Sequence, residues 1–272
     1  MVLSLSSEIA ISVPQYVACI LFVTASVIAS QLALTLFNKW AARYKLEFHN
    51  EVAAIVFGGI SLIYSLVLAF VIVAVWDDYT DLEKTIEAEA DKLNAIIEHT
   101  EALPDSIQAS IKQTIYSYCD EVVNNEWQMS AKTKVVEKPN TMRGLRRQLL
   151  ITDVEDKKEQ NVLAVIDNNL STLDDLRRDR LNHSHSQVPS MVWFILDTGS
   201  IMMIVFFFFL SMPSLKLKRI YLSFLVGCMA MCMFLVYTLD HPFNCKNGVS
   251  SELYQDIQNE LKSLGNTNTP PN

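Results

Sequence analysis

The sequence predicts an all-α membrane protein: four transmembrane helices, the second and third continuing into an extramembrane antiparallel helical bundle. Three observations carry that prediction. Four stretches are long and apolar enough to cross a bilayer, the acidic charge is confined to one block between the second and third of them, and there are only seven glycines and few strand signals. Half of the 272 residues are hydrophobic, 19% are charged and the mean hydropathy is +0.21, which excludes a disordered chain and argues against an ordinary soluble domain. Residues 77–187 hold 22 Asp/Glu and 14 Lys/Arg while the rest of the chain holds eight of each, so the whole formal charge of −8 belongs to this block. The expected organisation is an N-terminal tail with the first two spans (1–76), an acidic helical extramembrane domain (77–187), spans three and four (188–240), and a polar tail with a short amphipathic helix (241–272).

The spans run over 15–37, 52–76, 188–212 and 220–239; a crossing needs about 20 residues at 1.5 Å rise each. The first, second and fourth contain no charged residue and the third contains only Asp197. No Lys or Arg precedes Pro14, and the apolar run is too long for a signal-peptide core, so the first span is expected to remain as an anchor. Of five cysteines, Cys19, Cys228 and Cys232 fall in spans, while Cys119 and Cys245 are single polar-side thiols whose spacing supports no disulfide framework.

Short-loop charge sets the expected orientation. Lys39, Arg43 and Lys45 join spans one and two, and Lys216, Lys218 and Arg219 join spans three and four. Both loops read as cytoplasmic by the positive-inside rule. A multi-pass protein of a plasma or inner membrane follows, with its central domain and both termini extracytoplasmic. Arg177, Arg178 and Arg180, close to the third span, weigh the other way.

Neither Gly nor Pro occurs between Ile60 and Leu103, so nothing stops the second helix at the membrane surface. Its apolar pattern changes from continuous to periodic, with Leu82, Ile86, Leu93 and Ile97 on one face. A single helix over 52–102 would be about 75 Å long, more than twice the hydrocarbon thickness. Ile107, Ile111, Ile115, Tyr118 and Val122 repeat at helical spacing after Pro104-Asp105, and Val162, Ile166, Leu170, Leu173 and Leu176 do so before the third span. These three stripes predict an antiparallel bundle, with the polar stretch 132–140 as a connection. In the tail, Leu253, Ile257, Leu261 and Leu264 share a face after Ser250-Ser251, which can cap a helix.

Enzyme signatures are absent from the sequence: it has no Gly-rich phosphate loop, Cys-x-x-Cys pair, Gly-x-Ser-x-Gly elbow or His-Glu-x-x-His. No catalytic residue, cofactor, metal site or nucleic-acid partner is therefore expected. His183-Ser184-His185 reads as a polar helix end, because side chains two apart on a helix point in different directions. Asp197, followed by Thr198 and Ser200, is the candidate intramembrane polar site. A carboxylate roughly 12 Å into a span must face a bundle interior, a partner or water. Ser61, Ser65 and Ala69 form a small-residue stripe beside Gly58, Gly59 and Tyr64. These are the candidate helix-packing or pore-lining positions of the second span. Phe206 to Phe209 read as lipid-facing bulk, or as an aromatic gate if they ring a pore. Arg143, Arg146 and Arg147 form a basic cluster, read as a solvated face or an anion-binding one.

From Asn50-Glu51-Val52-Ala53 onward the sequence resembles the uncharacterised bestrophin-like family of four-span membrane proteins. The likeness continues through Phe57-Gly58, Tyr64, Phe70, Val75-Trp76, Tyr79, Glu89-Ala90 and Leu103-Pro104. It then takes in Tyr118, Val122-Val123, Glu126-Trp127, Arg178, Arg180-Leu181, Pro189, Trp193 and Gly199, and ends at Asp240-His241-Pro242-Phe243. About residues 15–258 are covered. Where the family has Gly after the Pro-Phe pair this chain has Cys245, and Gly248 is placed to supply the turn instead. Bestrophins proper are pentameric anion channels whose second span lines the pore. The resemblance thus implies a homo-oligomer, a pentamer by analogy, with 52–76 at its axis and a small anion as the permeating partner. It also implies a cytosolic large domain, opposite to the charge-based orientation. The competing reading is a non-conducting membrane scaffold or envelope sensor that binds a partner through its helical domain.

Overall fold

The computed structural model describes residues 15–44, 50–127, 130, 144, 146–147, 156–183, 188–243 and 248–267. Its principal helices are α1 (Gln15–Tyr44), α2 (Asn50–Thr100), α3 (Asp105–Glu121), a π-helical turn (Val122–Glu126), α4 (Lys157–Asn182), α5 (Ser190–Phe209), α6 (Leu215–Asp240) and α7 (Glu252–Thr267). No strand occurs among the described residues. Four helices, α1, α2, α5 and α6, carry stretches apolar enough to cross a membrane. The connection 132–140 and Cys245 lie outside the described residues.

Helix α2 is 51 residues long, consistent with its lack of any internal breaker. The third span is joined to the polar block differently. Helix α4 ends at Asn182 and α5 begins at Ser190 behind Pro189, which is extended at ψ 141°. Pro189 lacks an N–H and disfavours helix at the residue before it, so α5 begins directly behind it.

By contacts the chain divides into two compact units, Met1–Asp78 with Ser186–Gly248, and Tyr79–His185 with Val249–Asn272. In the first, the membrane unit, neighbouring spans run antiparallel. Phe22 meets Phe234 at 6.0 Å while Gln31 Nε2 donates to Arg219 O at 2.9 Å. Phe57 lies 6.0 Å from Phe207 while the Tyr64 hydroxyl donates to Leu196 O at 3.2 Å. Leu34, Phe207, Phe208, Leu222 and Val226 form a buried core where these helices meet. Phe207 and Phe208 are thus packing residues, while Phe209 is more exposed.

In the second, the polar unit, the expected stripes are buried: Leu82, Ile86, Leu93 and Ile97 on α2, Ile111, Ile115 and Tyr118 on α3, and Ile166, Leu170 and Leu173 on α4. Helix α7 starts with Glu252 N donating to Ser250 Oγ at 3.1 Å. Its buried face centres on Tyr254, Ile257 and Leu261, with Leu253 39% exposed. A tyrosine rather than that leucine enters the core, where its ring lies 5.6 Å from the guanidinium carbon of the buried Arg180.

Candidate functional site

Two places carry the residues singled out by sequence, one in each unit. In the membrane unit, the first half of α2 has a narrow covered edge and a broad uncovered one. Tyr64 and Leu68 are buried, whereas Ile55, Leu62, Ile63 and Phe70 are each at least 67% exposed. Only 6% of the most apolar stretch of α2 is buried within the chain, against 33% for α6. Gly58 and Gly59 have nothing within 4 Å of where a Cβ would stand, and Ser65 and Ala69 are exposed beside them. Ser61 and Tyr64 belong to the covered edge instead. Ser61 Oγ donates to Phe57 O at 2.7 Å and reaches Met203 Sδ at 3.6 Å. The edge of the Tyr64 ring packs against Gly199, where a Cβ would stand 2.6 Å from Cδ2 and 2.7 Å from Cε2. Gly199 is needed for that close approach.

Asp197, adjacent to Leu196 on the same helix, is exposed on the surface of the chain. Ser200 Oγ donates to Asp197 O at 2.7 Å, which uses the backbone and leaves the carboxylate unengaged by that hydroxyl. Thr198 and Ser200 are half-buried. At the end of the unit away from the Phe207–Phe208 core, Asp240 accepts from Val188 N at 3.0 Å and from Trp193 Nε1 at 3.3 Å. It thereby ties the start of α5 to the end of α6. His241 stacks on Tyr237 at 4.7 Å, and Pro242 and Phe243 are buried behind it. Trp76 is 56% exposed, and the Glu51 side chain lies outside the described residues.

The polar unit holds a buried charge network. Arg180 is fully buried, its Nε donating to Glu89 Oε2 at 2.7 Å and its Nη2 to Glu126 Oε2 at 2.8 Å. Arg177 Nε donates to Glu126 Oε1 at 2.8 Å, and the Tyr118 hydroxyl donates to Glu89 Oε1. Two guanidiniums and two carboxylates therefore neutralise one another inside the bundle, the condition under which ions persist without water. Trp127 and Tyr254 flank Arg180 with ring centroids 5.7 and 5.6 Å from its Cζ, within cation–π range. Burial first, then the Glu89 carboxylate, pushes both the Tyr118 and Tyr254 phenols well above their ordinary values. Burial opposes the Arg180 charge, but Glu89, Tyr254 and Tyr118 outweigh it and hold the guanidinium protonated. The Tyr254 hydroxyl feels Glu89 yet completes no hydrogen bond among the described residues.

Sequence reasoning named Glu89, Glu126, Trp127 and Arg180 without placing them together, and it missed Arg177 and Tyr254 as members. Helix register contains the missing signal. Leu82, Ile86, Glu89, Leu93 and Ile96 follow one another at four and three residues, as do Ile166, Leu170, Leu173, Arg177 and Arg180, and all ten are buried. The charged residues occupy core positions of an otherwise apolar repeat. On α3 the same repeat runs through Ile111, Ile115, Tyr118 and Val122, after which the π-helical turn brings Glu126 inward and leaves Asn125 exposed. One extra residue per turn at a functional position is the usual role of such a turn. Arg178, by contrast, is exposed and pairs with Asp175 at 3.8 Å. Arg146 pairs with Asp167 at 2.9 Å, Arg147 is exposed, and Arg143 and His185 lie outside the described residues.

A family model of the bestrophin-like domain matches residues 23–254. The chain belongs to the bestrophin-like family. A bacterial bestrophin homologue from Klebsiella pneumoniae superposes with a TM-score of 0.65 at 13% identity, covering 91% of this chain and 98% of its own. Two point mutants of bacterial bestrophin homologues from that organism give 0.66 at 13% identity, over 90% and 99% of the two chains, and 0.67 at 12%, over 91% and 98%. At such identity the likeness establishes the shared fold. No curated protein matches the chain. Among the residues that carry the bestrophin-like resemblance, Tyr64 and Gly199 meet at the α2–α5 contact, Trp193 and Asp240 form the tie at the start of α5, and Glu89, Tyr118, Glu126, Trp127 and Arg180 belong to the buried network of the polar unit.

Proposed function

We propose that copies of this chain assemble around the first half of α2 into an ion-conducting pore, with anions as the conducted ions and a pentamer as the assembly suggested by the bestrophin likeness. The uncovered face of α2 carries the reading. A helix with no charge from Val52 to Trp76, 6% buried along its most apolar stretch and bare at Gly58 and Gly59, has a face that its own chain does not fill, and close approach of another copy is what small residues permit. Asp197 supports an assembly with a watery interior, because an exposed carboxylate within a span is costly against lipid. Arg177 and Arg180 are spent on Glu126 and Glu89, so neither is available to attract anions along a path. The likeness alone supplies the sign of the ion.

Purified protein in planar bilayers is expected to conduct, and Gly58→Leu to lower the unitary conductance severalfold by filling the bare face. A reversal potential near the chloride equilibrium potential under a salt gradient supports anions, and one near the cation potential overturns that part. Bilayers silent across voltage, pH and Ca²⁺ overturn the pore itself. For orientation, the basic loops support a cytoplasmic Ser214 and an extracytoplasmic Ser130. Because Ser130 is buried, the label goes on Ser106, exposed in the same unit, and a cysteine there labelled only from the cytosol reverses the assignment.

A further inference from the structure

One end of the membrane unit gathers cations from two helices. Gln31 on α1 bonds both Arg219 O at 2.9 Å and Ser223 Oγ at 3.0 Å on α6, and Phe37 lies 5.5 Å from Phe208. The last turns of α1 and the first turns of α6 therefore share an edge. The sequences at this end, 38–51 and 211–219, hold six Lys/Arg and two Glu. The cations there are not equivalent. Lys218 is 7% exposed, and its Nζ donates to Phe208 O at 2.8 Å, satisfying a carbonyl left over at the end of α5. Lys39, Arg43, Lys216 and Arg219 are exposed, and none forms an ion pair among the described residues. Directly along the same helices toward the span, Leu36 is 67% and Ile220 49% exposed. Trp40 and Tyr221, 50% and 48% exposed, lie within one or two residues of Lys39 and Arg219, at the level that interfacial aromatics occupy.

We infer that this edge binds an anionic phospholipid, with Lys39, Arg43, Lys216 and Arg219 meeting its phosphate headgroup and Leu36 and Ile220 its acyl chains. Charge complementarity selects the headgroup, since four cations without ion-pair partners among the described residues face the layer in which lipid phosphates lie. The apolar surface beneath them selects a lipid over a free phosphate ion, which would leave that surface uncovered. Lys218 is excluded from the site, because its ammonium is already committed to Phe208. The inference requires the spans to lie in a bilayer and does not require conduction.

Full-length protein transferred to nanodiscs of dioleoylphosphatidylcholine, with dioleoylphosphatidylglycerol added, tests this by native mass spectrometry of retained lipid. Phosphatidylglycerol should be retained about tenfold over phosphatidylcholine, and Lys216→Gln/Arg219→Gln and Lys39→Gln/Arg43→Gln should each remove most of that preference. Lys157→Gln/Lys158→Gln, two exposed lysines of the polar unit, should leave it unchanged. If one edge pair fails to fold, the other alone decides between the outcomes. Equal retention of the two lipids overturns the inference, as does a preference that survives both edge pairs, a loss equal to theirs in the control pair, or full displacement by inorganic phosphate at matched concentration.

Discussion

The two units of the chain bury opposite things. The polar unit takes Glu89, Glu126, Arg177 and Arg180 inside, while the membrane unit leaves Ile55, Leu62 and Phe224 on its outside at 77, 71 and 74% exposure. Hydrophobicity alone predicts neither arrangement. The rule common to both is that a group goes where its partner is. In the polar unit each buried carboxylate meets a guanidinium, and the Glu89 oxygens are shared with Tyr118 as well. In the membrane unit the partner of an exposed leucine is hydrocarbon or another copy, neither of which belongs to the chain. The difference teaches that burial within one chain measures structure in the polar unit and only self-sufficiency in the membrane unit.

The largest expected effect comes from breaking the partnership in the polar unit. Arg180→Met leaves Glu89 in the interior with only the Tyr118 hydroxyl, and removal of one member of a buried pair typically costs about 3–5 kcal/mol. Denaturant unfolding of the full chain in detergent should show that loss. Glu89→Gln/Arg180→Met should recover part of it, because no unpaired charge remains on α2. Glu126 keeps Arg177 in either variant. Unchanged stability in Arg180→Met would mean that the network is solvated and that the two units do not differ in kind.

Much of this was readable from the residues. Apolar runs of span length, three of them uncharged and the third span carrying only Asp197, predict four membrane helices, and the absence of Gly and Pro from Ile60 to Leu103 implies one long α2. Pro189 was legible as the place where the third span starts, and it stands as the N-cap of α5. Register made Glu89 and Arg180 recoverable as core positions, but a single sequence does not say which carboxylate meets which guanidinium, because pairing depends on how α2, α4 and the π-helical turn come together. Tyr254 was hidden for a different reason. The leucine-based face drawn through Leu253 and Ile257 is the obvious apolar stripe, and only a buried cation elsewhere makes the neighbouring tyrosine the better core residue.

A smaller effect tests the one place where the membrane unit does depend on its own packing. Gly199→Ala puts a Cβ 2.6 Å from the Tyr64 ring, closer than carbon atoms approach. The ring must shift, and overpacking of this kind costs about 1–3 kcal/mol. Lowered melting in detergent is expected, with Gly199→Ala/Tyr64→Leu regaining part of it through the smaller partner. Gly59→Ala, where no atom stands within 4 Å, should leave the melting of the dispersed protein unchanged. A loss there equal to that at Gly199 would show α2 already covered in detergent, and so erase the contrast between its two edges.

The smallest effect concerns protons and returns to the polar interior. Cys119 is fully buried, and burial first, then the Glu89 charge, pushes its thiol up to about 12 from an ordinary 9.0. In the unfolded chain the thiol ionises near its ordinary value, so above about pH 9 the unfolded state gives up a proton that the folded state retains. Stability is therefore complete below that pH and declines as the pH rises toward the folded value, by about 1 kcal/mol at pH 10 from this group. Tyr118 and Tyr254, both shifted upward, add to the decline at higher pH. Melting temperatures of wild type and Cys119→Ala between pH 8 and 10.5 should converge as the pH rises, since the variant lacks the group that titrates first. Parallel curves would mean that the thiol ionises alike in both states, which requires water to reach the interior next to Glu89. The network would then hold its charges by solvation, as an exposed surface does, and not by pairing.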